Sequence, residues 1–164
     1  SWASMKLILP DVTHLFLSAL DLRNCTMFAH SLVSILQTLP SLKQFSIGCH
    51  SMEERHCRTD AKTMEALSSE IPSTCFVTLE HIDLNGVRPL TNLAPLLNAT
   101  GMLTWLNLSN SRFRHGDLQA WAHNTQERAF LTHLNLSNCG IGSDPDDAVS
   151  LAFLVSKLGH VGNL

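Results

Sequence analysis

One stretch of this chain is written almost twice. Leu103-Thr-Trp-Leu-Asn-Leu-Ser-Asn-Ser-Arg-Phe113 aligns with Leu131-Thr-His-Leu-Asn-Leu-Ser-Asn-Cys-Gly-Ile141, and both read LTxLNLSN, two variable positions, then an apolar residue. The apolar residues stand at places one, four and six, a pattern that neither a helix nor a plain alternating strand sustains for long. A unit repeated in this way cannot bury its own apolar face. Its neighbours must stack on it, and the chain becomes a row of units sharing one core.

Weaker copies follow in the same frame: Leu79-Glu-His-Ile-Asp-Leu84, Leu42-Lys-Gln-Phe-Ser-Ile47, Val12-Thr-His-Leu-Phe-Leu17, and Val161-Gly-Asn-Leu164 as an incomplete sixth. Starts at 12, 42, 79, 103, 131 and 161 are separated by 30, 37, 24, 28 and 30 residues. The first copy has a second register, Leu17-Ser-Ala-Leu-Asp-Leu-Arg-Asn-Cys-Thr-Met27, with Cys25 at place nine. The Val12 start is preferred, because Pro10 precedes it as Pro40 precedes Leu42, with Leu9 and Leu39 also in correspondence. Strands are therefore expected around 14–17, 44–47, 81–84, 105–108 and 133–136.

The segments between read as helices. Leu32, Ile35, Leu36 and Leu39 share one face at helical spacing, as do Met64 and Leu67 before Pro72, Leu93, Leu96 and Leu97 after Pro89, and Leu118, Trp121 and Ala122 after Gly116. Ala148, Leu151, Leu154 and Leu158 mark the last, with Ser143 or Asp144 as the N-cap and Pro145 at the first helical position. Helices also supply the crossovers that parallel strands require. The longest unit, the second, contains the polar run His50-Ser-Met-Glu-Glu-Arg-His-Cys-Arg-Thr-Asp60, expected as an insertion loop. The whole, 1–164, reads as one domain. Apolar residues before the first strand (Met5, Leu7, Ile8, Leu9) and the mid-strand stop at Leu164 lack the polar caps of a complete array, so a piece of a longer array is expected.

These residues resemble the leucine-rich repeats of the ribonuclease-inhibitor type. The resemblance implies an α/β solenoid, a horseshoe arc with a parallel β-sheet on its concave face and α-helices on its convex face. It also implies protein recognition across the concave face, as in intracellular immune receptors, ubiquitin-ligase substrate receptors and inhibitors. The family favours Asn or Cys at place nine, where this chain has Leu20, His50, Val87, Ser111 and Cys139, so that only Cys139 conforms.

Composition narrows the function further. Hydrophobic residues at 45% exclude a disordered chain, and no apolar run reaches the ~20 residues of a membrane span. A net charge of -3 with the Lys and Arg scattered singly argues against nucleic acid. Five cysteines, odd in number and irregular in spacing, argue against a disulfide framework and for a cytoplasmic or nuclear protein. The sequence carries no phosphate-binding glycine loop, nucleophile elbow or zinc-protease helix, so no catalytic residue and no cofactor is expected. Cys49-His50 and His56-Cys57 have the donor types of a zinc site but not its spacing, and an ordinary polar loop is preferred. Asn24, Asn98, Asn107 and Asn135 head glycosylation patterns, the last two being what the repeat itself writes.

Places three, five and seven face away from the core, because side chains alternate along a strand. The third-place column reads His14, Gln44, His81, Trp105 and His133; the fifth reads Phe16, Ser46, Asp83, Asn107 and Asn135; the fifth and seventh columns are small and polar, giving an open floor. The expected partner-binding residues are His14, Phe16, Gln44, His81, Asp83, Trp105, Asn107, His133 and Asn135, with Trp105 as anchor. The three histidines of this column lie on alternate strands, roughly 10 Å apart, too distant to share a metal. The sequence thus reads as a protein-protein interaction module. A zinc-binding segment or a purely structural spacer are the readings from other classes.

Overall fold

The computed structural model describes residues 18–23, 29–48, 64, 65, 67, 76–88, 90, 93–114, 116–126, 130–142 and 145–158. Within them the element order is β1 (Ala19–Asp21), α1 (Ala29–Leu36), β2 (Gln44–Ser46), β3 (His81–Asp83), α2 (Ala94–Ala99), β4 (Trp105–Asn107), α3 (Asp117–Asn124), β5 (His133–Asn135) and α4 (Pro145–Lys157). The strands form one open five-stranded sheet in sequence order, every neighbouring pair parallel. The register is that of the repeat: Gln44, His81, Trp105 and His133 are successive partners, as are Phe45, Ile82, Leu106 and Leu134.

Four of the five expected strands lie where the repeat frame puts them. The first does not. β1 runs from Ala19 to Asp21 and pairs Ala19 with Gln44, so the frame starting at Leu17 enters the sheet rather than the preferred frame starting at Val12. The reason lies at the strand ends. In units 3, 4 and 5, starting at Leu79, Leu103 and Leu131, place eight is Gly86, Asn110 and Asn138, with φ of 73°, 58° and 59°. That left-handed backbone is open to Gly and Asn and costly for other residues. Place five is Asp83, Asn107 and Asn135, whose side-chain oxygens each accept the N–H of place seven at 3.0 Å. The Leu17 frame supplies Asp21 and Asn24 at these places, whereas the Val12 frame supplies Phe16 and Ala19. Asp21 makes the same turn, accepting the Arg23 N–H at 3.0 Å.

The core is built from places one, four and six together with the helix faces. Leu42, Leu79, Leu103 and Leu131, then Phe45, Ile82, Leu106 and Leu134, are all buried, and they pack with Leu32, Leu36, Met64, Leu67, Leu96, Leu97, Leu118, Trp121, Leu154 and Leu158. In α4 the buried stripe is Ser150, Leu154 and Leu158, while Ala148, expected on that face, is exposed. Helix ends are closed by threonines: the Thr38, Thr100 and Thr125 hydroxyls donate to Ile35 O, Leu97 O and Trp121 O. Lys157 fastens α4 to α3, donating to His123 O and Thr125 O at 3.0 Å and lying 4.5 Å from the Phe153 ring centre.

Place nine explains how units tolerate a missing Asn or Cys. The Cys139 thiol donates to Leu108 O at 3.0 Å, and the Ser111 hydroxyl donates to Leu84 O at 2.9 Å. Serine therefore does the work of the expected residue, and the departure read from the sequence at Ser111 is no departure in function. Val87 cannot donate, and its side chain packs instead close to Gly48. Gly48 has φ of 131°, and a Cβ there would stand 2.0 Å from Asn85 O, so no other residue fits. The insertion at 50–60 and the Cys49, His50, His56, Cys57 group lie outside the described residues, as do the expected N-caps Ser143 and Asp144 and the incomplete copy at 161–164.

Candidate functional site: the outer face of the sheet

The face turned away from the core carries places three, five and seven. Its third-place column, from β1 to β5, is Ala19, Gln44, His81, Trp105 and His133. His14 and Phe16, expected at the first strand, lie outside the described residues, and Ala19 and Asp21 fill those places in β1. The centre of the column is aromatic. The His81 and Trp105 rings stack with centroids 6.0 Å apart and planes 27° from parallel, and both side chains are half-buried. His133, on the next strand, is exposed, with its Nδ1 2.9 Å from the Thr132 hydroxyl. Gln44 is exposed on the other side of His81.

The floor beside this column is less open than expected. Asn107 is only 8% exposed and Ser109 6%. The Asn107 amide is engaged at both ends: its oxygen accepts the Ser109 N–H, and its nitrogen donates to Asp83 Oδ1 at 3.0 Å. Asp83 Oδ1 also accepts the Asn85 N–H. Of the expected fifth-place residues that are described, Asp83 and Asn107 thus bind the sheet together and Asn135 is exposed. The asparagines at place eight form a second cross-unit line, Asn138 Nδ2 donating to Asn110 Oδ1 at 3.1 Å.

Two charged residues missed in the sequence belong to this face. Arg23, at place seven of β1's unit, forms a bidentate pair with Asp21, its Nε 2.8 Å from Oδ1. It also reaches over β2 to Asp83, Nη1 to Oδ2 3.6 Å. The crossing is possible because the second unit has only Ser46 and Gly48 at those places. The hydrogen bond to Asp21 holds the guanidinium proton still more firmly than usual. The signal that would have found them was Asn24, which shares place eight with Asn110 and Asn138 once the Leu17 frame is taken.

Place two borders the face. Lys43 Nζ lies 2.7 Å from Glu80 Oε1, and this hydrogen bond, then the lysine charge, holds the Glu80 carboxyl below its usual range. Thr104 and Thr132 continue the line, their hydroxyls donating to Glu80 O and Thr104 O. Among the described residues no three His, Cys, Asp or Glu side chains are grouped to hold a metal ion. None of the helices among them is long and apolar enough to cross a membrane.

Residues 130–151, the fifth unit and the start of α4, match the Leucine Rich Repeat family model, which supports a leucine-rich repeat protein. No curated protein and no solved structure matches the chain.

Proposed function

We propose that this chain is a protein-recognition segment of a ribonuclease-inhibitor-like leucine-rich-repeat solenoid, binding its partner on the concave side of the arc around Trp105. The observation that carries this reading is the half-exposed His81–Trp105 stack, in register with exposed Gln44 and His133 on the flanking strands. A rigid aromatic pair bordered by adaptable polar side chains is the usual composition of a binding hot spot. The deeper polar residues, Asp83 and Asn107, hold that platform in place, and Asn135 extends it. The chain acts by binding rather than catalysis, without cofactor, in the cytoplasm or nucleus, where unpaired thiols such as Cys139 persist.

The test is capture of a protein partner with the purified chain, followed by titration of that partner with wild type and Trp105→Ala. Association should weaken by about 2 kcal/mol or more, some 30-fold, while the variant stays folded. Unchanged affinity in a folded Trp105→Ala protein would move the site off this face.

A further inference from the structure

We infer that Arg112 and Arg114, with Arg88 beside them, form an anion-binding rim that takes an acidic, extended segment of a protein partner. In the sequence these arginines are dispersed. Stacking gathers them, because Arg88 and Arg112 both stand at place ten, of units 3 and 4. The Arg88 guanidinium lies on Asn110 O, with Nε at 3.1 Å and Nη2 at 3.0 Å, two residues before Arg112. Leu90 N donates to Arg112 O at 2.9 Å, and Leu90 and Phe113 form a parallel bridge. Residues 112–114 are therefore extended, and alternate side chains leave opposite sides. Phe113 turns inward and stacks on buried Trp121, ring centroids 5.8 Å apart and planes 15° from parallel. Arg112 and Arg114 leave the other side together, and both are exposed.

What sets this pair apart is how the other described cations are used. Arg23 pairs with Asp21, Lys43 with Glu80, Arg88 holds Asn110 O, and Lys157 holds His123 O and Thr125 O. Among the described residues, neither the Arg112 nor the Arg114 guanidinium has a hydrogen bond or an ion pair. The nearest acid in sequence, Asp117, accepts the Arg114 backbone N–H at 3.2 Å. The positive rim stops at unit 5, where place ten is Gly140 and Asp147 accepts the Gly142 N–H. Its two free guanidiniums stand about 6.6 Å apart, two residues along an extended segment. Carboxylates on alternate residues of an extended partner have that same spacing, so each arginine meets one. Nucleic acid or an anionic membrane would call for a broad positive field, which a chain of net charge -3 lacks. The rim also adjoins the strands that carry His81 and Trp105, and the choice of a protein as the source rests on the reading of that face.

The experiment titrates the chain with a synthetic peptide of four glutamates alternating with threonines, read by NMR at the arginine Nε–H signals. The Arg112 and Arg114 signals should shift, and the Kd should rise with salt. The double variant Arg112→Gln, Arg114→Gln should bind at least about fivefold more weakly, as expected for losing two exposed ion pairs. Its urea midpoint should be unchanged, because the two guanidiniums hold nothing in the fold. Lys43→Gln, at the opposite end of the strands, should bind as wild type does. Trp105→Ala should also leave the peptide affinity unchanged, so that the rim stands even where the reading of the Trp105 face fails. Equal affinity in the double variant would overturn the proposal, as would loss on Trp105→Ala alone, which would place the acidic segment on the face. Tighter binding of an equally long peptide carrying one phosphoserine in place of the glutamates would assign the rim to phosphate and overturn it. Arginine-dependent pelleting with phosphatidylserine vesicles would assign it to a lipid surface, with the same consequence.

Discussion

Units 4 and 5 carry nearly the same text, LTWLNLSN and LTHLNLSN, in different surroundings. In unit 4, Asn107, Leu108 and Ser109 are 8%, 0% and 6% exposed; in unit 5, Asn135 and Ser137 are exposed and Leu136 is half-buried. The local turn is the same in both, with the fifth-place amide oxygen accepting the seventh-place N–H at 3.0 Å. What differs is the neighbour on the far side. Conformation in this chain is set by the residues of a unit, and burial by the unit that follows it. Energetics should therefore differ between identical residues.

The largest expected effect concerns place six. Leu108→Ala should cost about 2–5 kcal/mol in urea unfolding, as for a fully buried leucine, while Leu136→Ala should cost less than about 2 kcal/mol. Leu106→Ala and Leu134→Ala, both at buried fourth places, are the controls and should each cost about 2–5 kcal/mol. Equal costs at Leu108 and Leu136 would break the comparison.

Next is place five. Asn107→Ala strands the Ser109 N–H in a buried position and removes a bond to Asp83, for a loss of about 1–3 kcal/mol. Asn135→Ala leaves the Ser137 N–H to water and should cost about 0.5–1 kcal/mol.

Place nine sharpens the account of how units are joined. Ser111→Ala should cost about 1 kcal/mol by orphaning Leu84 O on one side. At Cys139, burial pushes the thiol up from its ordinary value. Folding then favours the protonated form, so its contribution is complete below the ordinary thiol range and is lost as pH rises through the raised value. Alkylation of Cys139 by iodoacetamide should follow unfolding rather than precede it. Rapid modification of the folded chain at neutral pH would contradict the Cys139–Leu108 bond.

The smallest effect is at the border. Glu80 is held below the carboxylate range by Lys43, so this pair contributes above the ordinary carboxylate value and its contribution fades as pH falls through the lowered one. Lys43→Ala should move the Glu80 titration midpoint upward by NMR with little change in the neutral-pH melt.

The repeats with strong leucine spacing were legible from the sequence, because places one, four and six face the shared core and admit only apolar residues. Units 2 to 5 were placed to within a residue for that reason, and the third-place column with them. Unit 1 was misread because the apolar pattern alone fits two frames there. Polar residues decide between them: Asp21 for the turn and Asn24 for the left-handed position. Reading Asn107 as open floor failed for another reason. Alternation tells which way a side chain points but not how closely the next strand's turn covers it. The ion pairs of Arg23 were hidden until the frame was right, since they depend on the small residues Ser46 and Gly48 between the two strands they join.

The central claim, that each unit is completed by the one after it, is tested most directly by amide hydrogen exchange at matched positions of units 4 and 5. The account predicts slow exchange at Leu108 and Asn110, whose N–H groups donate to Asn135 O and Ser137 O, and fast exchange at Leu136 and Asn138 in the same molecule. Equal protection at the two pairs would contradict it.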